Sequence, residues 1–166
     1  MAISTRTLVE GSLAAALSVA LSYLKIWNMP QGGSVTLENV PLVLFALRHG
    51  LRGGLSAGAV SGTIQLLLGG YVAHPAQALL DYPLAFASLG LAALVPRPLW
   101  AGALLGSLAR FCCHVLSGVV FFASYAPEGT NVWIYAIGYN GSFMVPNLIL
   151  TVLACYLLIP RLQSLR

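Results

Sequence analysis

Residues 99–123 read LWAGALLGSLARFCCHVLSGVVFFA, a run whose only charged or imidazole side chains are Arg110 and His114. A helix that crosses a bilayer takes about 20 mostly apolar residues, so this run predicts a transmembrane helix over about 99–123. It also predicts an unusual one, because ionisable groups inside a span are expensive and tend to mark function.

The rest of the chain has the same character. Of 166 residues, 58% are hydrophobic and 7% charged, and the mean hydropathy is +0.86. Soluble domains carry about a quarter charged residues. Eight basic and four acidic side chains cannot clothe a soluble surface here. The net charge of +4 does not indicate nucleic acid, since Lys25 is the only lysine and no Lys/Arg cluster exists. Cys112, Cys113 and Cys155 lie in apolar runs and predict neither a disulfide framework nor a metal site.

Further apolar segments fall at about 7–27, 37–49, 52–71, 75–95 and 133–159. The expectation is therefore an all-α membrane protein, one integral domain with six transmembrane helices. The first segment lacks a clear cleavage site and is expected to be a mature helix rather than a signal peptide. Arg6, Arg48, Arg52, Arg97, Arg161 and Arg166 fall at the termini or in the turns between helices 2–3 and 4–5. The positive-inside rule assigns that side, with both termini, to the cytoplasm. Lys25, His74, Glu38 and Glu128 sit in the opposite connections.

Small residues indicate packing. Gly50, Gly54, Gly58 and Gly62 recur every four residues, the spacing that lets helix backbones approach closely in lipid. Contact within the bundle is the expected role of that row. Ser12, Ala16 and Ala20 repeat the spacing on helix 1, where the row can instead dock a separate membrane subunit.

Four ionisable groups lie within the spans: Glu10, Asp81, Arg110 and His114. Glu10 is near the inner end and reads as hydrated. The other three converge on the outer half of the bundle, where Tyr82, Tyr135, Tyr139 and Asn140 also fall. Arg110, His114, Gly118 and Phe122 follow at i, i+4 and so share a helix face. The plain structural reading is an Asp81–Arg110 ion pair. The functional reading is a pocket for a small molecule with an aromatic or cationic part, held by a carboxylate, an imidazole, an amide and aromatic faces. Catalysis has less support. Asp81 is the only Asp, no metal-ligand cluster or P-loop occurs, and a Ser117–His114 pair at i, i+3 is a weak signature.

The runs MPQGGSVTLENVPL (29–42), HPAQALLDYPLAFASLG (74–90), RFCCHVLSGVVFFASYAP (110–127) and YAIGYNGS (135–142) together resemble the thiamine-specific S component of energy-coupling factor (ECF) transporters. The resemblance implies a six-helix membrane subunit that binds thiamine from outside. It also implies partnership with a transmembrane T component and two cytoplasmic ATPases, with no cofactor and no catalysis of its own. Position by position, it implies thiamine contacts at Asp81, Tyr82, Arg110, His114, Tyr135 and Asn140, and a stacking contact at Phe122 where some members have Trp. The first loop should close over the ligand, with Gln31 and Trp27 as candidate contacts. Ser12, Ala16 and Ala20 match the face that docks on the T component. A binding subunit for another vitamin or a thiamine precursor, and a membrane hydrolase using His114 and a serine, are the alternative readings.

Overall fold

The computed structural model describes residues 4–163. Helix α1 spans Thr5–Ser22, capped by the Ser4 side chain, which accepts from the Thr7 amide. A short antiparallel ribbon follows, β1 (Trp27–Asn28) paired with β2 (Ser34–Val35) across the 3-10 turn Pro30–Gly32. The sequence predicts helix as far as residue 27, because the apolar run continues through Leu24, Ile26 and Trp27. The chain instead turns back, and the Ile26 amide donates to the Val35 carbonyl at 2.8 Å. Trp27 is therefore in the ribbon rather than the helix, and it is 61% exposed.

Helix α2 spans Asn39–Leu67 and bends at Gly50, whose φ of 82° is left-handed. Glycine takes that conformation without a Cβ penalty. The bend divides α2 where the sequence predicts a turn between two helices. Next comes one continuous helical rod, Pro75–Leu94, made of α3 (Pro75–Leu79), a π segment (Leu80–Leu84), α4 (Ala85–Ser88) and a closing 3-10 segment (Leu89–Leu94). Pro83 sits inside the π segment. Its ring nitrogen cannot donate to the preceding turn, which is a local reason for the ladder to widen there. Helices α5 (Leu99–Phe121) and α6 (Val132–Gln163) complete the chain. Among the described residues, Pro75–Leu94, Leu99–Phe121 and Val132–Leu158 are each long and apolar enough to cross a membrane. Arg166 and the side chain of Arg161, used to orient the termini, lie outside the described residues.

Three of the four glycines in the predicted row, Gly54, Gly58 and Gly62, pack inside the bundle, whereas Gly50 makes the bend and an added Cβ there would meet nothing within 4 Å. A Cβ added at Gly58 would sit 2.2 Å from the Phe86 carbonyl oxygen, and one at Gly62 would sit 2.4 Å from that of Tyr82. The second half of α2 thus lies directly on the backbone of the rod, and this contact fixes the π segment in place. Leu42, Val43, Phe45, Phe86, Leu89 and Cys155 form the main apolar core beside it. Beside the Gly50 bend of α2, Glu10 joins helices: its carboxylate lies 2.6 Å from His49 and 3.5 Å from Arg48, besides its i, i+4 pair with Arg6. Ser12, Ala16 and Ala20 are exposed along α1.

The close approach has a measurable consequence. Gly58→Ala should cost roughly 1–3 kcal/mol, the range for overpacking a tight contact. Gly138→Ala on α6, where an added Cβ meets nothing within 4 Å, should be neutral or slightly stabilising. Thermal unfolding of the two variants in detergent checks this, and equal tolerance would contradict the packing described.

Candidate functional site

A cavity of about 310 Å³ opens at the end of the bundle where the first loop, the α2–α3 connection and the α5–α6 connection meet. Asp81, Tyr82, Arg110, His114, Phe122, Tyr135 and Asn140, all singled out in the sequence, line it together. Trp27 does not line it. Gln31 lies in the 3-10 turn of the first loop, and its side chain is outside the described residues.

The polar wall is one connected network. Asp81, delivered by the π segment, receives three donors: His114 Nδ1 reaches Oδ1 at 2.9 Å, while Ser117 Oγ and Gln77 Nε2 reach Oδ2 at 2.7 and 2.8 Å. Gln77 is itself fixed by the Ala73 amide and the Tyr71 carbonyl. Arg110 Nε donates to His114 Nε2 at 3.3 Å. That assigns the lone pair to Nε2 and the imidazole proton to Nδ1, facing Asp81.

The Asp81–Arg110 ion pair of the plain structural reading is not formed. Arg110 instead pairs with Glu38 at 2.7 Å, where both side chains are more than nine-tenths buried, and also donates to Asn39 Oδ1. Its guanidinium lies 4.0 Å over the Phe86 ring. Glu38, read from the sequence as part of the connection between the first two helices, therefore closes the inner wall of the cavity. The pairing has a charge consequence. Glu38 neutralises Arg110, so with the imidazole uncharged the inner wall keeps one net negative charge, on Asp81. The cavity's other cation, Lys25, is exposed at its rim.

Aromatic rings form the remaining walls. Phe122 stacks on Tyr125 at 5.7 Å and lies 6.0 Å from Tyr71. The hydrogen bond to Tyr71 raises the Tyr125 phenol above its usual range. Tyr135 stacks on Tyr139 at 6.2 Å, and Phe143 presents its edge to both Tyr139 and His114. The Asn140 amide donates to the Ala136 carbonyl at 2.9 Å and the His114 carbonyl at 3.4 Å. Its Oδ1 has no hydrogen-bond partner among the described residues. The first loop lies against α6: Tyr139 donates to the Pro30 carbonyl and accepts from the Gly33 amide at 3.1 Å.

Glu38, Gln77, Ser117, Tyr71 and Tyr125 are site residues that the sequence reading did not assign. Glu38 had a signal, a carboxylate beside the Asn39 amide in a chain whose Arg110 needs a buried partner. Ser117 was weighed only as a nucleophile. It donates to Asp81 and not to His114, so the serine–histidine arrangement that a hydrolase needs is not formed.

A small site held by a carboxylate, a neutral imidazole, an amide and stacked rings suits a flat cation. Its hidden charge pair has a testable cost. Arg110→Met leaves Glu38 buried and unpaired and should destabilise the protein by about 3–5 kcal/mol, whereas adding Glu38→Met should restore most of that. Unfolding of the single and double variants in detergent measures the difference.

Residues 8–166 match the family described as thiamine transporter protein (Thia_YuaJ). The chain is 37% identical over 170 residues to the thiamine transporter ThiT of Bacillus subtilis (strain 168), covering 91% of this chain and 88% of that one. It is 32% identical to ThiT of Lacticaseibacillus paracasei, covering 87% and 82%. Among solved structures, ThiT from Listeria monocytogenes superposes with a TM-score of 0.87 at 23% identity, over 96% of each chain. A structure described as the S component of a bacterial ECF transporter does so with a TM-score of 0.69 at 17% identity, again over 96% of each. These two likenesses bear on the fold, which is that of the S components. The family match and the identity to the two transporters together place the chain: it belongs to the thiamine transporter protein family.

Proposed function

We propose that the chain binds thiamine at the outer face of the bacterial membrane, as the substrate-specific S component of an ATP-driven ECF importer. The observation that carries this reading is Asp81. It is a carboxylate held by three donors on an apolar, ring-walled cavity, and its charge is left over after Glu38 and Arg110 cancel. Thiamine offers a cationic thiazolium ring and an aminopyrimidine with an exocyclic amine. An ionised carboxylate has about four acceptor positions, so Asp81 keeps room for that amine or for the ring charge. His114 and Gln77 hold the carboxylate's orientation, and Asn140 Oδ1 offers a further acceptor. Tyr135, Tyr139 and Phe122 supply faces for stacking, and Tyr82 closes the side, its phenol accepting from the Tyr71 amide at 2.7 Å.

The membrane topology in this reading is six helical passes with both termini cytoplasmic, the two halves of α2 serving as separate passes. The basic residues gathered at Arg6, Arg48, Arg52 and Arg97 support it. A T component and two ATPases would supply the energy. The exposed row Ser12, Ala16 and Ala20 on α1 is the face proposed to meet the T component, since small residues permit close helix contact in lipid.

Titration calorimetry of the purified protein tests the reading: saturable binding at or below micromolar thiamine is expected, and none at micromolar ligand would sink it. Asp81→Asn keeps the shape and removes the charge. It should weaken binding by about 1.5–3 kcal/mol, the worth of a hydrogen bond to a charged group, or about 10- to 150-fold. Ala16→Trp should abolish co-purification with a T component while leaving thiamine affinity unchanged. If the complex survives that substitution, the docking face lies elsewhere.

A further inference from the structure

Asn147 lies on α6, is 3% exposed and does not line the cavity. Its side-chain amide grips β2 with both ends. Oδ1 accepts from the Thr36 amide at 2.8 Å, and Nδ2 donates to the Ser34 carbonyl at 2.9 Å. These two backbone groups straddle Val35 and point to the same side of the strand. Val35 uses its other edge to accept from the Ile26 amide at 2.8 Å. The ribbon is therefore closed on one edge by the chain itself and on the other by a single side chain acting as a peptide group. Val35 is buried against Phe143 and Met144 of the same helix, which fixes the register of the grip.

The grip leads into the site. Thr36 Oγ1 accepts from the Glu38 amide at 3.3 Å. From Glu38 the contacts run to Arg110 at 2.7 Å, from Arg110 to His114 at 3.3 Å, and from His114 to Asp81 at 2.9 Å. Glu38 comes two residues after Thr36, at the start of α2, and makes no side-chain cap of that helix. Its carboxylate is free to serve Arg110 only while the backbone before it is held in place. A buried network in low dielectric responds strongly to small displacements of one member. If the strand before Glu38 slackens, Arg110 loses its partner and turns toward Asp81, the other carboxylate lining the cavity. The charge left for a cationic ligand would then be cancelled.

We propose that Asn147 is a positioning residue: by clamping Ser34 and Thr36 it keeps Glu38 on Arg110, and so keeps Asp81 uncompensated for a cationic ligand that Asn147 itself never touches. This rests on the functional reading above, with thiamine as the probe. The test is a double-mutant cycle read by calorimetric titration, with unfolding temperature followed in parallel. Asn147→Ala should weaken thiamine binding about tenfold or more in the otherwise unaltered protein, in line with coupling inside one polar network. In a Glu38→Gln background, where residue 38 no longer carries a charge to set against Arg110, the same substitution should cost less than about threefold. Unfolding temperature should fall by similar amounts in both backgrounds, so a merely structural role predicts equal affinity losses and would overturn the inference. Unchanged affinity in Asn147→Ala would overturn it too. Should Asn147→Ala fail to fold, Thr36→Val keeps the strand clamp and removes only the Thr36–Glu38 link. It is expected to weaken binding severalfold, and no change there also overturns the inference. Failure of the unaltered protein to bind thiamine would contradict the functional reading itself. Binding by the unaltered protein with equal losses in the two backgrounds contradicts only the role of Asn147.

Discussion

The buried pair between Glu38 and Arg110 is the contact on which the site depends. A guanidinium in the middle of a membrane helix cannot lose its charge, so it must be partnered where it stands. The partner comes from the far side of the first loop, 72 residues earlier in the chain. The first loop must therefore fold back for the guanidinium of α5 to be satisfied. That single requirement explains the ribbon at residues 27–35, the clamp from α6 and the start of α2 at Asn39. It also frees Asp81: with Arg110 satisfied elsewhere, the carboxylate takes neutral donors and its charge is not cancelled. Such a pair is weak evidence for stability as such. Its importance is in the arrangement it imposes.

Close helix contact supplies the other half of the geometry. Gly58 and Gly62 let α2 rest on the carbonyls of Phe86 and Tyr82. The rod cannot then straighten its π segment without losing that fit. Pro83 opens the backbone ladder and the glycines hold the opening against α2, so Asp81 and Tyr82 are presented from a local irregularity with support on both sides. π segments of this kind often occur where a helix must aim a side chain at a site.

Much of this was legible in the residues. The apolar run with Arg110 and His114 predicts a span with chemistry in it, and α5 covers that run closely. The i, i+4 spacing of Arg110, His114, Gly118 and Phe122 predicts a shared face, and all four line the cavity. The glycine row predicts close packing, and Gly54, Gly58 and Gly62 supply it inside the bundle while Gly50 makes the bend instead. The failures share one physical origin. Helical periodicity reports what happens within a helix, whereas the ribbon of two-residue strands carries no period at all. Its turn-back at Ile26 and Val35 was hidden by an apolar run that continues the pattern of helix. Glu38 looked like a loop carboxylate for the same reason, and the choice of Glu38 over Asp81 as partner of Arg110 is decided by tertiary distance. Gln77 and Ser117 are ordinary polar residues until the π segment brings Asp81 between them.

The central claim is that Asp81 holds the uncancelled charge that receives a cationic ligand. A structure of the protein determined with thiamine bound tests it most directly. The account predicts the ligand within the cavity, its amine or cationic ring in direct contact with the Asp81 carboxylate, and Arg110 still on Glu38. Thiamine bound away from Asp81, or Arg110 turned to Asp81 with the ligand in place, would contradict it.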